Sequence, residues 1–234
     1  MPLPDIAQFV HKLSIYALPV IIAITFHEAA HGYVANKKGD PTAYMLGRVT
    51  LNPIPHIDPI GTILLPGLLL LMGTGIIFGW ARPVPVNFRL LRDQKRDPIY
   101  VAAAGVVMNL ILAVISGIIF RIITFFDPGL LVEAMTQGGG AATPGLARMI
   151  LVPITLMCVV SVQFNALLAA FNMIPVPPLD GGRIAVGLLP PRASMALASV
   201  ERYGMLIVLA LLMFGPVGII WHFVQLISSF ILGG

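Results

Sequence analysis

Five apolar runs set the terms on which this chain can fold: Leu13 to Val34, Ile60 to Trp80, Ile99 to Phe126, Met149 to Ile174 and Tyr203 to Ile231. Each is near or above the ~20 residues a helix needs to cross the hydrocarbon of a bilayer. So much apolar surface points to an α-helical polytopic membrane protein. Composition agrees, since 58% of residues are hydrophobic and 10% charged, whereas roughly a quarter are charged in soluble domains. The net charge of +4 comes from Lys and Arg residues in short loops between the apolar runs. That pattern orients helices in a membrane, and it excludes nucleic acid as a partner. No linker, charge block or repeat divides residues 1–234, which read as a single domain. The N-terminal stretch has neither a basic start nor a small-residue cleavage site, so the first run reads as a retained segment. The lone cysteine, Cys158, sits in an apolar run and reads as a small buried hydrophobe.

The second run is unlike the others. Gly61, Pro66, Gly67, Gly73, Gly75 and Gly79 punctuate it, and Pro83 and Pro85 follow at once. It makes a poor straight helix. Arg82, Arg89, Arg92, Lys95 and Arg96 crowd the loop after it, and Lys37, Lys38 and Arg48 the loop before it. Loops this basic belong on the cytoplasmic side. A single crossing would place the two loops on opposite sides, so Ile60 to Trp80 is expected to enter the bilayer and return. Such irregular backbone is tolerated only where it packs on protein or lines a wet cavity. Ala43 to Leu51, rich in Tyr, Val and Thr and closed by Asn52-Pro53, reads as a short strand at the membrane edge.

Chemistry concentrates in HEAAH, His27 to His31, on the first apolar helix. Residues four apart lie on one helix face, so both imidazoles point the same way and make half a metal site. In zinc peptidases of this signature the glutamate beside the first ligand takes a proton from the water that zinc activates, which makes Glu28 the general-base candidate. Ionisable groups in a membrane helix are costly and mark function. A catalytic zinc needs a third protein ligand and an open position. His11 and His222 lie at the edges of apolar runs, where interfacial placement is the plainer reading. His56 and Asp58 sit in a Pro-rich turn where local hydrogen bonding is the plainer one. Asp180 lies in NMIPVPPLDGGR, where Pro175, Pro177 and Pro178 end the fourth helix and Gly181 and Gly182 allow close backbone approach. That loop is shaped to deliver one carboxylate, although an exposed Asp in an ordinary helix-ending turn would look the same. Topology bears on the choice: with a re-entrant second run, HEAAH and Asp180 both arrive near the cytoplasmic face.

HEAAH followed by NMIPVPPLDGGR resembles the site-2 protease family of intramembrane metalloproteases, which pairs His-Glu-x-x-His with Asn-x-x-Pro-x-Pro-x-x-Asp-Gly. The resemblance implies that His27, His31 and Asp180 bind one Zn²⁺ per chain, with Glu28 as catalytic base. AGVVMN, Ala104 to Asn109, is similar to the family's Ala-Gly-Pro-x-x-Asn, with Val106 in the place of Pro. Asn109 and Asn172 become candidates to hold substrate backbone or a developing oxyanion, against the alternative of interhelical hydrogen bonds. GRVTLNPIPHIDPIGT and FGWARPVPVN are similar to the small prokaryotic branch. Further implied are three helices around the zinc, a membrane-edge β element and substrates that are membrane proteins with a transmembrane helix. The protein would lie in the cell membrane with its active site near the cytoplasmic side. Two other classes remain to be set against this: a zinc or ion transporter, and a proteolytically inactive membrane protein that binds substrates. Glu28 beside His27 argues against the first, because a transporter has little use for a base poised on activated water. No sequence feature specifies an oligomer.

Overall fold

The structure is a computed structural model that describes residues 6–65, 68, 80–130, 146–214 and 217–233. Among them every regular element is helical. Three helices among the described residues are long and apolar enough to cross a membrane: α1 (Ile6–Lys37), α3 (Asp97–Phe126) and α4 (Leu146–Asn172). At 1.5 Å per residue, 25 residues span about 37 Å, more than the ~30 Å of hydrocarbon. Pro19 and Pro153 lie inside α1 and α4, as membrane helices tolerate. The last apolar run forms two shorter helices, α7 (Gly204–Phe214) and α8 (Val217–Leu232), on either side of Gly215 and Pro216.

The chain divides into two compact units. One comprises residues 1–23, 109–174 and 203–234. Here α8 packs on α4, and polar side chains tie the spans together. Asn109 Nδ2 donates to the Ala23 carbonyl at 3.3 Å and to Asn165 Oδ1 at 2.8 Å. The Ser116 hydroxyl donates to that of Ser161 at 2.7 Å. With no hydrophobic drive between helices in lipid, such bonds are worth about 0.6–2 kcal/mol each.

The other unit comprises residues 24–108 and 175–202. It holds the end of α1, the start of α3, and the hairpin of α5 (Asp180–Leu188) on α6 (Pro191–Ser199). The fully buried Asp40 carboxylate organises the connection after α1. It accepts from the Thr42 backbone N–H at 3.0 Å, from the Thr42 hydroxyl, and from the Asn87 N–H at 2.6 Å.

The strand expected at Ala43 to Leu51 does not form. The short helix α2 (Thr42–Met45) occupies its first part, and a turn through Gly47 at φ +66° follows. Asp40 ties down Thr42 and so starts a helical turn, and Leu46 and Arg48 donate back to the Thr42 and Ala43 carbonyls. Among the described residues no neighbouring strand competes: the extended segment 80–87 directs its Arg82 and Val84 N–H groups to the His56 carbonyl and Glu28 instead. Among the described residues there is no β element.

Most of the second run, residues 66, 67 and 69–79, lies outside the described residues. Its two ends are described, and they meet. A wide π-type turn, Pro59–Leu64, is capped by the Asp58 side chain. The Trp80 N–H donates to the Gly61 carbonyl at 3.1 Å, and the Thr62 hydroxyl to the Trp80 carbonyl at 2.9 Å.

Candidate metal centre

His27 and His31 stand one turn apart on α1, and their Nε2 atoms face each other at 3.0 Å. Asp180 Oδ2 completes a triangle, 3.4 Å from each of them. These separations suit donors placed tetrahedrally around one ion, since zinc–nitrogen distances of about 2.0–2.1 Å imply donor spacings near 3.3 Å. All three side chains are largely buried. The sequence expectation of a loop-borne carboxylate is refined here: Asp180 is the first residue of α5, where the helix dipole favours a negative charge. Two elements thus bring the three groups together, namely α1 and the first turn of α5.

Three observations fit a cation at the centre of this triangle. Asp180 Oδ2 is buried with no hydrogen-bond partner, a state that costs about 1–3 kcal/mol unless a charge compensates it. His31 Nδ1 donates to the Val101 carbonyl at 2.7 Å, which fixes the ring and leaves Nε2 as its ligand atom. Gly105 of α3 supplies the space: a Cβ there would lie 2.5 Å from both His27 Cε1 and His31 Nε2. Two imidazoles, one carboxylate and an open position are the donor set of a catalytic zinc. Burial pushes the Asp180 carboxyl up, but the adjoining His27 and His31 outweigh it and hold the group down at about 2. It is therefore a ready anionic ligand at neutral pH.

Glu28 has its own fixture. Its Oε2 accepts the Val84 N–H at 2.7 Å, so residues 80–87 run past the carboxylate. Behind Asp180, Gly182 allows the Pro-rich loop to fold back, for a Cβ there would meet the Pro177 nitrogen at 2.1 Å.

The remaining candidates find other partners. His56 Nε2 lies 3.1 Å from the Thr50 carbonyl, and Asp58 accepts from the Ile60 and Gly61 N–H groups. Both follow the local reading. His222 is exposed on α8, and the side chain of His11 lies outside the described part. Asn109 makes the interhelical bonds given above, and Asn172 Nδ2 donates to the Leu168 carbonyl one turn back at 3.0 Å. Sequence reasoning missed Gly105, the Val101 carbonyl and the Val84 N–H. The glycine of AGVVMN was the one available signal, and the two backbone groups had none.

Comparison with known proteins agrees with this chemistry. The profile of peptidase family M50 matches residues 15–215. A candidate zinc metalloprotease of Bacillus subtilis, YwhC, is 40% identical over 194 residues, which are 83% of this chain and 78% of that protein. The candidate zinc metalloprotease Rip2 of Mycolicibacterium smegmatis is 30% identical over 82% of this chain, and Rip2 of Mycobacterium tuberculosis 27% identical over the same share. The chain spans 64% and 63% of those two relatives. No solved structure matches it. From its matched length and its relatives, the chain belongs to peptidase family M50, the site-2 protease family of zinc metalloproteases, as a multi-pass membrane protein.

Proposed function

We propose that this protein is an intramembrane zinc endopeptidase that cuts peptide bonds within transmembrane segments of other membrane proteins. The observation that carries the reading is the convergence of His27, His31 and Asp180, with ligand atoms within 4.8 Å of one another on and beside a membrane-length helix. In it, these three residues hold one zinc per chain. Bound there, zinc would supply Lewis acidity, polarising the scissile carbonyl and making water acidic enough to react near neutral pH. Glu28 takes the proton of the attacking water and passes it to the departing amine. The Val84 N–H keeps one oxygen of that carboxylate in place while the other works.

A substrate helix must unwind before its carbonyl can be attacked, because its backbone groups are otherwise paired from i to i−4. Residues 80–87 are an extended partner for the unwound chain, and the Val86 N–H has no partner among the described residues. The meeting of Gly61 and Trp80 supports a second run that enters the membrane and returns to its starting point. With the basic loops on the cytoplasmic side of the cell membrane, the centre opens near that face. Asn109 and Asn172 stay secondary candidates for substrate contact, since each amide already serves a structural bond.

The test is zinc content and cleavage of a membrane peptide by purified protein. His27→Ala, His31→Ala and Asp180→Ala should each lose metal and activity. Glu28→Gln should keep zinc and lose cleavage, because a glutamine oxygen can still accept from Val84. Unchanged zinc in Asp180→Ala, or full activity in Glu28→Gln, contradicts the assignment.

A further inference from the structure

Arg48 is a buried cation beside this chemistry. Its Nη2 donates to the carbonyls of Arg82 at 2.8 Å and Pro83 at 3.2 Å. The next residue, Val84, is the one whose N–H meets Glu28 Oε2 at 2.7 Å. Two successive peptide groups thus link a fixed guanidinium to the carboxylate, because the Pro83 carbonyl and the Val84 N–H belong to one planar unit. They form a stiff link, since Pro83 and Pro85 lock their own φ and restrict Arg82 and Val84 before them. The flanks are pinned as well: the Arg82 N–H donates to the His56 carbonyl at 2.9 Å, and the Asn87 N–H to Asp40 at 2.6 Å. Displacing the Arg82 and Pro83 carbonyls therefore turns the Val84 N–H.

Stability alone does not favour this arrangement. Arg48 Nε is buried without a hydrogen-bond partner, and a buried charge held by neutral carbonyls leaves much of its desolvation uncompensated. Burial and the nearby Arg82 charge lower the Arg48 pKa, while the Glu28 carboxylate opposes them.

We propose that Arg48 is a positioning residue for the reaction: by fixing the Arg82 and Pro83 carbonyls it aims the Val84 N–H at Glu28. Oε2 is then committed, and Oε1, which has no hydrogen-bond partner among the described residues, is the oxygen that takes the proton. The inference rests on the reading of Glu28 as the base.

The experiment uses the full zinc-loaded chain and a membrane peptide that it cleaves. Arg48→Gln should lower kcat roughly tenfold to hundredfold, a part of the 10²–10⁴ that a general base supplies. KM should stay within about threefold, and zinc content and melting temperature should not change. Arg48→Lys, which keeps the charge but reaches one carbonyl at a time, should recover part of the loss. Val84→Pro removes the N–H and should lower kcat alike, and joining it to Arg48→Gln should add little, since both break one connection. Amide exchange at Val84 should quicken in Arg48→Gln. Parent kcat in Arg48→Gln, additive losses in the double variant, or a raised KM at unchanged kcat would overturn the inference. Should Arg48→Gln lose zinc, Arg48→Lys carries the same comparison. Cleavage that survives Glu28→Gln refutes the base itself, whereas full activity in the Arg48 variants with Glu28→Gln inactive refutes this inference alone.

Discussion

An imidazole offers a metal one nitrogen dependably only when the other is tied down, and the Val101 carbonyl does this for His31. The ring cannot then step aside for a new neighbour, which makes Gly105 the most exacting position around the centre. A methyl group there would stand 2.5 Å from His31 Nε2 and from His27 Cε1, closer than carbon atoms approach. Gly105→Ala is expected to weaken zinc binding at least about tenfold, or ~1.4 kcal/mol, measured by competition with a chelator of known affinity. Gly218→Ala, where an added Cβ meets nothing within 4 Å, should bind as the parent does. Equal affinity in both variants would show that zinc is not held between these rings. At this scale the sequence was informative wherever the cause was local. The pairing of His27 with His31 follows from helical periodicity alone. The contributions of Gly105 and Val101 come from a helix some seventy residues along, and nothing in the sequence around HEAAH announces them.

Among the elements, the long helices were legible because an apolar run of sufficient length has few other outcomes in lipid. The short connections were not. Ala43 to Leu51 has the composition of a strand, yet a buried aspartate three residues upstream, with no pairing edge among the described residues, turned its start into a helix. The proline-bounded segment 80–87 remained extended, and its edge is the one offered to unwound substrate. The Val86 N–H makes no hydrogen bond among the described residues, so Val86→Pro removes no bond of the fold. If unwound substrate adds along this edge, that variant loses one ladder donor worth about 0.5–1.5 kcal/mol, and kcat/KM should fall roughly threefold to tenfold. Zinc content should stay at the parent level. Cleavage at the parent rate by a folded, zinc-loaded Val86→Pro protein would rule out pairing at this position.

For the whole molecule, orientation follows from helix ends. In the last part of α3, Arg121 donates Nε to the Ile231 carbonyl and Nη2 to the Phe230 carbonyl, both at 2.7 Å. These bonds satisfy carbonyls that the C-terminal turn of α8 leaves open. Just beyond α3, Asp127 pairs with Arg148 near the start of α4 at 3.2 Å. The end of α8, the end of α3 and the start of α4 therefore share one side of the membrane. Both arginines there are committed to carbonyls or to a carboxylate. The basic loop from Arg82 to Arg96 precedes α3 and so lies at the opposite end of that helix, the end for which the positive-inside rule predicts a cytoplasmic place. In a Cys158→Ala background, Pro128→Cys and Gly233→Cys should react with an impermeant thiol reagent on intact cells. Asn36→Cys and Gln94→Cys should react only once the cells are opened. Labelling of Gln94→Cys in intact cells would place the basic loop outside and sink the re-entrant second run. A Gly233→Cys protected in intact cells, with Pro128→Cys labelled, would mean that α7 and α8 together do not cross.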